Sequence, residues 1–170
     1  MSIKKTNLVR AAALALALSA SASLALADMQ VRFIEPDKFS DAGREFGSRD
    51  HEPVLKELKA HLDKLGAQLP GKDLTVEISN VDLAGGWEPV GRRMEMTRVL
   101  RGVSSPSIEL SFTLSENGKT LQSGKTRLHD LNYMTGMNRY NESDPIRYER
   151  RMLDDWFRDE FKSTLAAAKN

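Results

Sequence analysis

The stretch LTVEISNVDLAGGWEP, residues 74–89, predicts the central strand of the fold and the turn that ends it. Its first half alternates apolar and polar side chains, which is typical of a strand with one buried face. The inward side chains are Leu74, Val76 and Ile78. The same parity carries Asp82 inward, unless a bulge shifts the register before the two glycines. Asp82 is therefore a candidate site residue, and the Gly-Gly-Trp-Glu-Pro segment after it is predicted to be a loop.

Four further segments have strand patterns, namely Gln30 to Ile34, Arg93 to Arg101, Ile108 to Leu114 and Lys119 to Leu128. The third alternates most clearly, and the Asn117-Gly118 pair after it favours a tight hairpin turn. The fourth alternates poorly and includes Gly124, so it is predicted to be an edge strand or a bulged strand. Strands with one polar face predict an antiparallel sheet that is covered on one side only.

Two helices are predicted to cover that side. The first runs from Pro53 to Leu69, with leucines at helical spacing. The second begins at Asp144-Pro145, which are typical of a helix start, and continues to about Ala168. Its apolar side chains spread over roughly 220° of the helical wheel, about twice the usual stripe. Either the loop at residues 130–141 wraps around this helix, or part of the helix is left for a partner.

Together these elements predict an α+β fold. We expect a mostly antiparallel, four- to five-stranded sheet with two helices packed on one face. The order along the chain is strand, helix, three to four strands, helix. Residues 28–170 are predicted to form this single α+β domain.

Residues 1–27 have the features of a cleavable secretory signal. Lys4, Lys5 and Arg10 precede an Ala/Leu run that is shorter than a membrane span requires. No later segment qualifies as a membrane span. We therefore expect a protein of the periplasm, assuming a Gram-negative source. The chain contains no cysteine, which excludes disulfides and thiol chemistry.

Charge and motifs exclude several functions. Removing the three basic residues of the signal from the 25 Lys and Arg leaves 22 against 24 Asp and Glu, a net charge of about −2. This balance gives no reason to expect nucleic-acid binding.

The three histidines lack the close spacing of a zinc site, so neither a metal nor another cofactor is expected. No serine-hydrolase elbow or phosphate-binding loop occurs. Catalysis by carboxylates stays open through Asp82, Asp130, Glu149 and Asp155.

The two acids that the patterns point inward, Asp82 and Glu149, need ion pairs or hydrogen bonds if they are buried. The neighbouring strand supplies possible partners in Arg92, Arg93, Arg98 and Arg101. We expect at least one of the two acids to anchor the loop after the central strand to the sheet or to the last helix. A pocket lined by Asp82, Arg93 and Glu149 together would instead favour ligand binding.

Aromatic side chains give the remaining functional signal. Trp87 lies in the glycine-flanked loop, Tyr133 and Tyr140 lie in the connection before the last helix, and Trp156 lies on that helix. Trp and Tyr are enriched at interfaces, because they bury a large area while keeping a polar group. These side chains are either partner contacts or loop aromatics packed on the core.

Five motifs, in this order after the signal, resemble the exported bacterial family catalogued as domain of unknown function 3016. They are VRFIEPDKFSDAG, NVDLAGG, SPSIELSFTL, LHDLNY and YERRMLDDWF. The resemblance covers nearly the whole of the chain after the signal. It implies an uncharacterised, soluble, exported protein and supplies no activity, substrate or catalytic residue.

Two functions are compatible with these observations. The favoured function is a non-enzymatic binding or envelope-accessory module that acts through contacts with a protein partner of the cell envelope. The alternative is a small-ligand-binding protein or hydrolase, with a pocket between the C-terminal helix and the sheet.

Overall fold

The computed structural model describes residues 28–168, so the predicted signal at residues 1–27 lies outside the described residues. Six strands and three α-helices follow one another along the described chain, and one turn of 3-10 helix, Pro36–Lys38, follows the first strand. The strands and α-helices are β1 (Met29–Phe33), α1 (Glu52–Gly66), β2 (Asp73–Asp82), β3 (Gly86–Val90), β4 (Glu95–Val99), β5 (Ser107–Glu116), β6 (Lys119–His129), α2 (Arg147–Glu160) and α3 (Lys162–Ala167). None of these helices is long and apolar enough to cross a lipid bilayer.

The main sheet has the strand order β1-β2-β5-β6. Its mostly antiparallel pairing confirms the predicted α+β class, whereas the sequence did not predict the order of the strands. β1 pairs with β2 in parallel, and α1 lies on the connection between these two strands. β2, β5 and β6 pair antiparallel. One face of this sheet, here called the helix face, packs against the helices, and the opposite face is called the outer face.

The segment after β2 departs from the prediction. Residues 86–90, predicted to be a loop, form β3, which pairs with β4 in a separate two-stranded sheet. Gly85 turns the chain out of the main sheet with φ of +86°, and a Cβ atom there would lie 2.8 Å from the carbonyl oxygen of Val99. The strand predicted from Arg93 is shorter than expected, and Arg93 lies in the exposed turn before β4. The sequence does not reveal this hairpin, because its strands do not alternate.

A bulge in β2 determines where Asp82 points. The register with β5 shifts between Ile78 and Asn80, so Val81 is the residue paired with the buried Ile108. Val81 therefore faces the helices, and Asp82 falls on the outer face beside Ser107. The prediction that Asp82 points inward is thus wrong, and the bulge that the sequence analysis gave as the alternative is present.

The C-terminal helix is broken in two. α2 starts at Arg147, where the Asp144 carboxylate accepts a hydrogen bond from the N–H of Ile146 at 3.0 Å, and α3 follows Phe161. The broad apolar surface of this region is buried, because α2 packs on the sheet and the loop at residues 130–141 wraps around it. The buried side chains include Met152, Leu153, Trp156, Phe157 and Phe161.

β6 is an edge strand with a bulge, as predicted. Its register with β5 shifts between Leu114 and Ser115, which leaves Leu121 without a cross-strand partner and 46% exposed. Gly124 lies opposite Phe112, and a Cβ atom at this glycine would be 2.8 Å from the phenylalanine ring. That ring packs edge-on against Trp156 and Phe161. Gly124 thus makes room for the aromatic core at the cost of a regular strand pattern.

Candidate functional site

The main sheet has two edge strands, β1 and β6, and β6 is the longer of the two, with eleven residues against five. Within residues 28–168 no strand pairs with the edge of β6 that faces away from β5. From Leu121 onward every second residue of β6 is exposed. Because cross-strand partners share a face, Thr126 and Leu128 lie on the helix face with Leu110 and Ile108. The side chains that alternate with these lie on the outer face, and they belong to Ser123, Lys125, Arg127 and His129.

A groove of about 500 Å³ lies between the end of β6 and helix α2, and we call it the β6–α2 groove. Leu128, Met152 and Trp156 supply its apolar lining. Its acidic lining comes from α2, through Asp155, Asp159 and Glu160, and the end of β6 adds Arg127 and His129. The groove therefore combines an open strand edge, an apolar surface and a row of carboxylates on one helix.

Trp156 is both a core residue and part of this groove. Its side chain is 7% exposed and lies 5.7 Å, centroid to centroid, from the rings of Phe112 and Phe161. Its indole Nε1 is buried and has no hydrogen-bond acceptor among the described residues. A buried N–H without an acceptor is energetically unfavourable, so this position lowers the stability of the core.

The groove continues into a polar concavity of about 600 Å³ beside the 130–141 loop. Its guanidinium groups are engaged by carboxylates of the same chain. Arg151 lies 2.7 Å from Asp130, and Arg158 lies 2.8 Å from Asp155. Because these charges are already neutralised, the concavity is not a ready-made anion site.

Tyr133 and Tyr140 both fasten the 130–141 loop. Tyr133 is buried, and its hydroxyl donates to the carbonyl oxygen of Arg101 at 2.8 Å. The Tyr140 hydroxyl donates to Asp154 at 2.6 Å, and His61 Nε2 donates to the other carboxylate oxygen at 2.9 Å. Burial alone would raise the pKa of Asp154, but these hydrogen bonds outweigh it and hold the pKa below its usual value. Both tyrosines thus serve as internal anchors.

A second concavity, of about 630 Å³, opens at the end of the sheet on the outer face, and we call it the sheet-end cleft. The strand register places Asp41, Asp82, Ser107 and His129 in one row across four neighbouring backbone segments. Burial raises the pKa of Asp82, and the nearby Asp41 raises it further, against the opposing effects of three basic side chains. In the same cleft Ser105 Oγ lies 2.6 Å from His129 Nε2.

Glu149 lies on the other side of the glycine turn. Its side chain is completely buried, and Oε1 accepts a hydrogen bond from the N–H of Ala84 at 2.7 Å. Oε2 has no partner among the described residues, and burial raises the pKa of Glu149 to about 7. One of the two inward acids of the sequence analysis therefore joins the loop after β2 to the last helix, as expected.

The arginine nearest to this turn is Arg98. It pairs with Asp41 at 2.9 Å, donates to the carbonyl oxygen of Ala84 at 3.4 Å, and lies 4.6 Å above the ring of Trp87. Trp87 is half-buried and also contacts Phe46 edge-on. Arg93, by contrast, is exposed in the β3–β4 turn. The sheet-end cleft, which Asp82 lines, therefore includes neither Arg93 nor Glu149.

Sequence reasoning did not find the contact between Ser105 and His129, or the β6–α2 groove. The first joins residues 24 positions apart that no motif connects. The second depends on which strand occupies the sheet edge and on where α2 crosses it. The weak alternation of β6 was the one available signal, and it indicated the edge.

The fold and these sites define an α+β protein with a mixed four-stranded sheet, an accessory hairpin and an open edge strand. The chain belongs to the family described as protein of unknown function (DUF3016), whose model matches residues 27–159. No curated protein and no solved structure gives a significant match.

Proposed function

We propose that this protein is a non-enzymatic binding module of the periplasm that takes an extended segment of an envelope protein along the free edge of β6. The observation that carries this proposal is the β6–α2 groove beside an eleven-residue edge strand that pairs with β5 on one side only. An edge strand presents a row of unpaired N–H and C=O groups, and a peptide that adds to it gains main-chain hydrogen bonds.

The groove also offers selectivity. Side chains of an added strand point alternately to the two faces of the sheet, so every second one would reach the surface of Met152 and Trp156. Main-chain pairing thus provides affinity, and the groove selects the side chains.

Site-specific photocrosslinking tests this proposal, because the chain contains no cysteine of its own. A benzophenone attached to Lys125→Cys or Arg127→Cys should capture the same segment of one partner from an envelope extract. Since the two positions lie on one face of β6, we expect their crosslinks to be about two residues apart in the partner. The control is Lys56→Cys, an exposed position on α1. Equal capture from the control, or crosslinks scattered over the partner, would refute strand addition.

The periplasmic location is part of this proposal. Its support is the basic start followed by the Ala/Leu run, together with a family match that begins at residue 27. Cell fractionation and the intact mass of the mature protein test it. We expect a periplasmic species that begins near Asp28, and a cytoplasmic species that retains Met1 would contradict the proposal.

A second candidate function is hydrolysis in the sheet-end cleft, and it rests on the contact between Ser105 and His129. A serine hydroxyl next to a histidine base is the arrangement of an activated nucleophile. A fluorophosphonate probe would then label the protein on Ser105, and Ser105→Ala would abolish the labelling. An absence of labelling in the folded wild-type protein removes this candidate and leaves the binding module untouched.

A further inference from the structure

The two sides of β6 differ in charge. On the outer face Lys125 and Arg127 are exposed, and Lys125 has no ion-pair partner within residues 28–168. Arg127 lies 3.9 Å from Glu109, which belongs to β5 and therefore lies on the side away from the free edge. The outer face of the edge is thus basic where an added strand would pair.

The helix side of the same edge is acidic. Asp155, Asp159 and Glu160 line the β6–α2 groove, and Arg158 is the guanidinium that pairs with the first two, at 2.8 and 3.3 Å. Glu160 accepts a hydrogen bond from Gln122 of β6 at 2.6 Å, which brings its carboxylate directly beside the strand. Arg127 and His129 of β6 line this groove as well, and Arg127 pairs with Glu109 on the outer face. Three carboxylates therefore face two guanidinium groups, both of them already ion-paired, which leaves the helix side negative.

We propose that the segment bound along β6 carries alternating charges, with acidic side chains on the outer face and basic side chains toward α2. This inference rests on the proposed strand addition. Successive side chains of a strand point to opposite faces, so opposite potentials on the two faces translate into a period of two along the segment. Directly opposite side chains of unlike charge attract across neighbouring strands, and like charges there repel.

The recognised partner is therefore a segment of a protein in which Asp or Glu alternates with Lys or Arg over about six residues. Shifting such a segment by one residue places every charge on the wrong face. The charge pattern consequently fixes the register as well as the choice of partner.

Selection from a displayed library of random ten-residue segments tests this directly, with the mature chain as bait. We expect the enriched sequences to alternate in charge. The double variant Lys125→Glu and Arg127→Glu should bind these sequences roughly 2- to 25-fold more weakly, since each reversed cross-strand pair changes affinity by about 1.4- to 5-fold. Arg32→Glu is the control, because Arg32 lies on β1, at the opposite edge of the sheet, where it pairs with Glu77 of β2.

The outcomes separate the two proposals. Enriched sequences without a period of two in charge, yet still crosslinking to Lys125→Cys, overturn the charge pattern and leave strand addition standing. A library without any enriched sequence overturns both, and the basic residues of β6 then serve only to keep copies of the chain from pairing edge to edge. Equal weakening by Arg32→Glu and by the β6 variant also overturns the charge pattern. The weakening would then come from the net charge of the whole protein and not from cross-strand pairs at β6.

Discussion

The buried carboxyl group of Glu149 accepts a hydrogen bond from the backbone N–H of Ala84 at 2.7 Å, and this contact ties α2 to the glycine turn after β2. The same turn is held from its other side by Arg98, which donates to the carbonyl oxygen of Ala84. The turn leads directly into the β3–β4 hairpin. One residue, Ala84, therefore joins the last helix, the main sheet and the accessory hairpin.

The charge of Glu149 makes stability depend on pH. Burial raises the pKa of Glu149 to about 7 in the folded chain, from the usual value of 4.5, so the folded state retains a proton that the unfolded state has lost between these values. The contribution of Glu149 to the free energy of unfolding is therefore full below pH 4.5, and it falls by roughly 3 kcal/mol as the pH rises to about 7. Glu149→Gln cannot ionise, so the free energy of unfolding of this variant relative to wild type should rise over that interval. Parallel denaturation profiles from pH 4.5 to 7.5 would contradict this assignment.

The hydrogen bond to Ala84 is separable from the charge. Glu149→Met keeps a similar volume but leaves the buried N–H of Ala84 without an acceptor, which costs about 1 to 3 kcal/mol. Glu149→Gln retains an acceptor oxygen. We therefore expect urea denaturation at pH 5 to rank Glu149→Met well below Glu149→Gln. If both variants unfold at the urea concentration of wild type, Glu149 does not anchor the turn.

Asp154 of α2 binds Tyr140 and Arg139 of the 130–141 loop, so removal of the Tyr140 hydroxyl should change the free energy of unfolding. Tyr140→Phe removes a hydrogen bond to a carboxylate, and since Tyr140 is half-buried we expect a loss of about 1 to 2 kcal/mol at pH 7. The pKa of Asp154 is lowered on folding, so this contribution is present above its usual pKa and disappears as the carboxylate is protonated in acid. The matched control is Tyr148→Phe, because the Tyr148 hydroxyl makes no hydrogen bond within the described chain. Equal losses for the two variants, or a loss independent of pH, would count against this role.

Gly124 is needed for close packing. An alanine methyl group at this position would meet the ring of Phe112 at 2.8 Å, and that ring is enclosed by Trp156 and Phe161. We expect Gly124→Ala to lower the free energy of unfolding by about 1 to 3 kcal/mol, as overpacked cores do. Gly102→Ala is the control, because a methyl group there meets no atom within 4 Å. A more stable Gly124→Ala protein would show that Phe112 moves aside freely.

The sequence predicted the elements whose side chains alternate or recur with a clear period. β2 and β5 alternate, α1 has its leucine stripe, and β6 was recognised as an edge strand because its alternation is weak. The wide apolar surface of α2 correctly indicated that the helix is enclosed, although the sequence left open whether the loop or a partner encloses it.

The candidate site was less predictable, because it depends on register. One extra residue near Ser79 moves Asp82 from the helix face to the outer face, and no residue in this part of the sequence predicts the bulge. The β3–β4 hairpin has no alternation, and the turn at Gly85 that separates it from the main sheet follows from a close approach to Val99. Trp156 was correctly placed on the apolar surface of α2, but its place in a groove follows only from the strand that lies beside it.

Amide hydrogen exchange along β6 tests the central claim most directly. In the free protein, alternate amides of Lys119–His129 should exchange quickly, because they point away from β5 and have no partner on the open edge. Addition of a segment selected on this chain should protect these amides and leave those already paired with β5 unchanged. Protection that appears around Asp82 and His129 in the sheet-end cleft, with the alternate amides of β6 still open, would contradict strand addition.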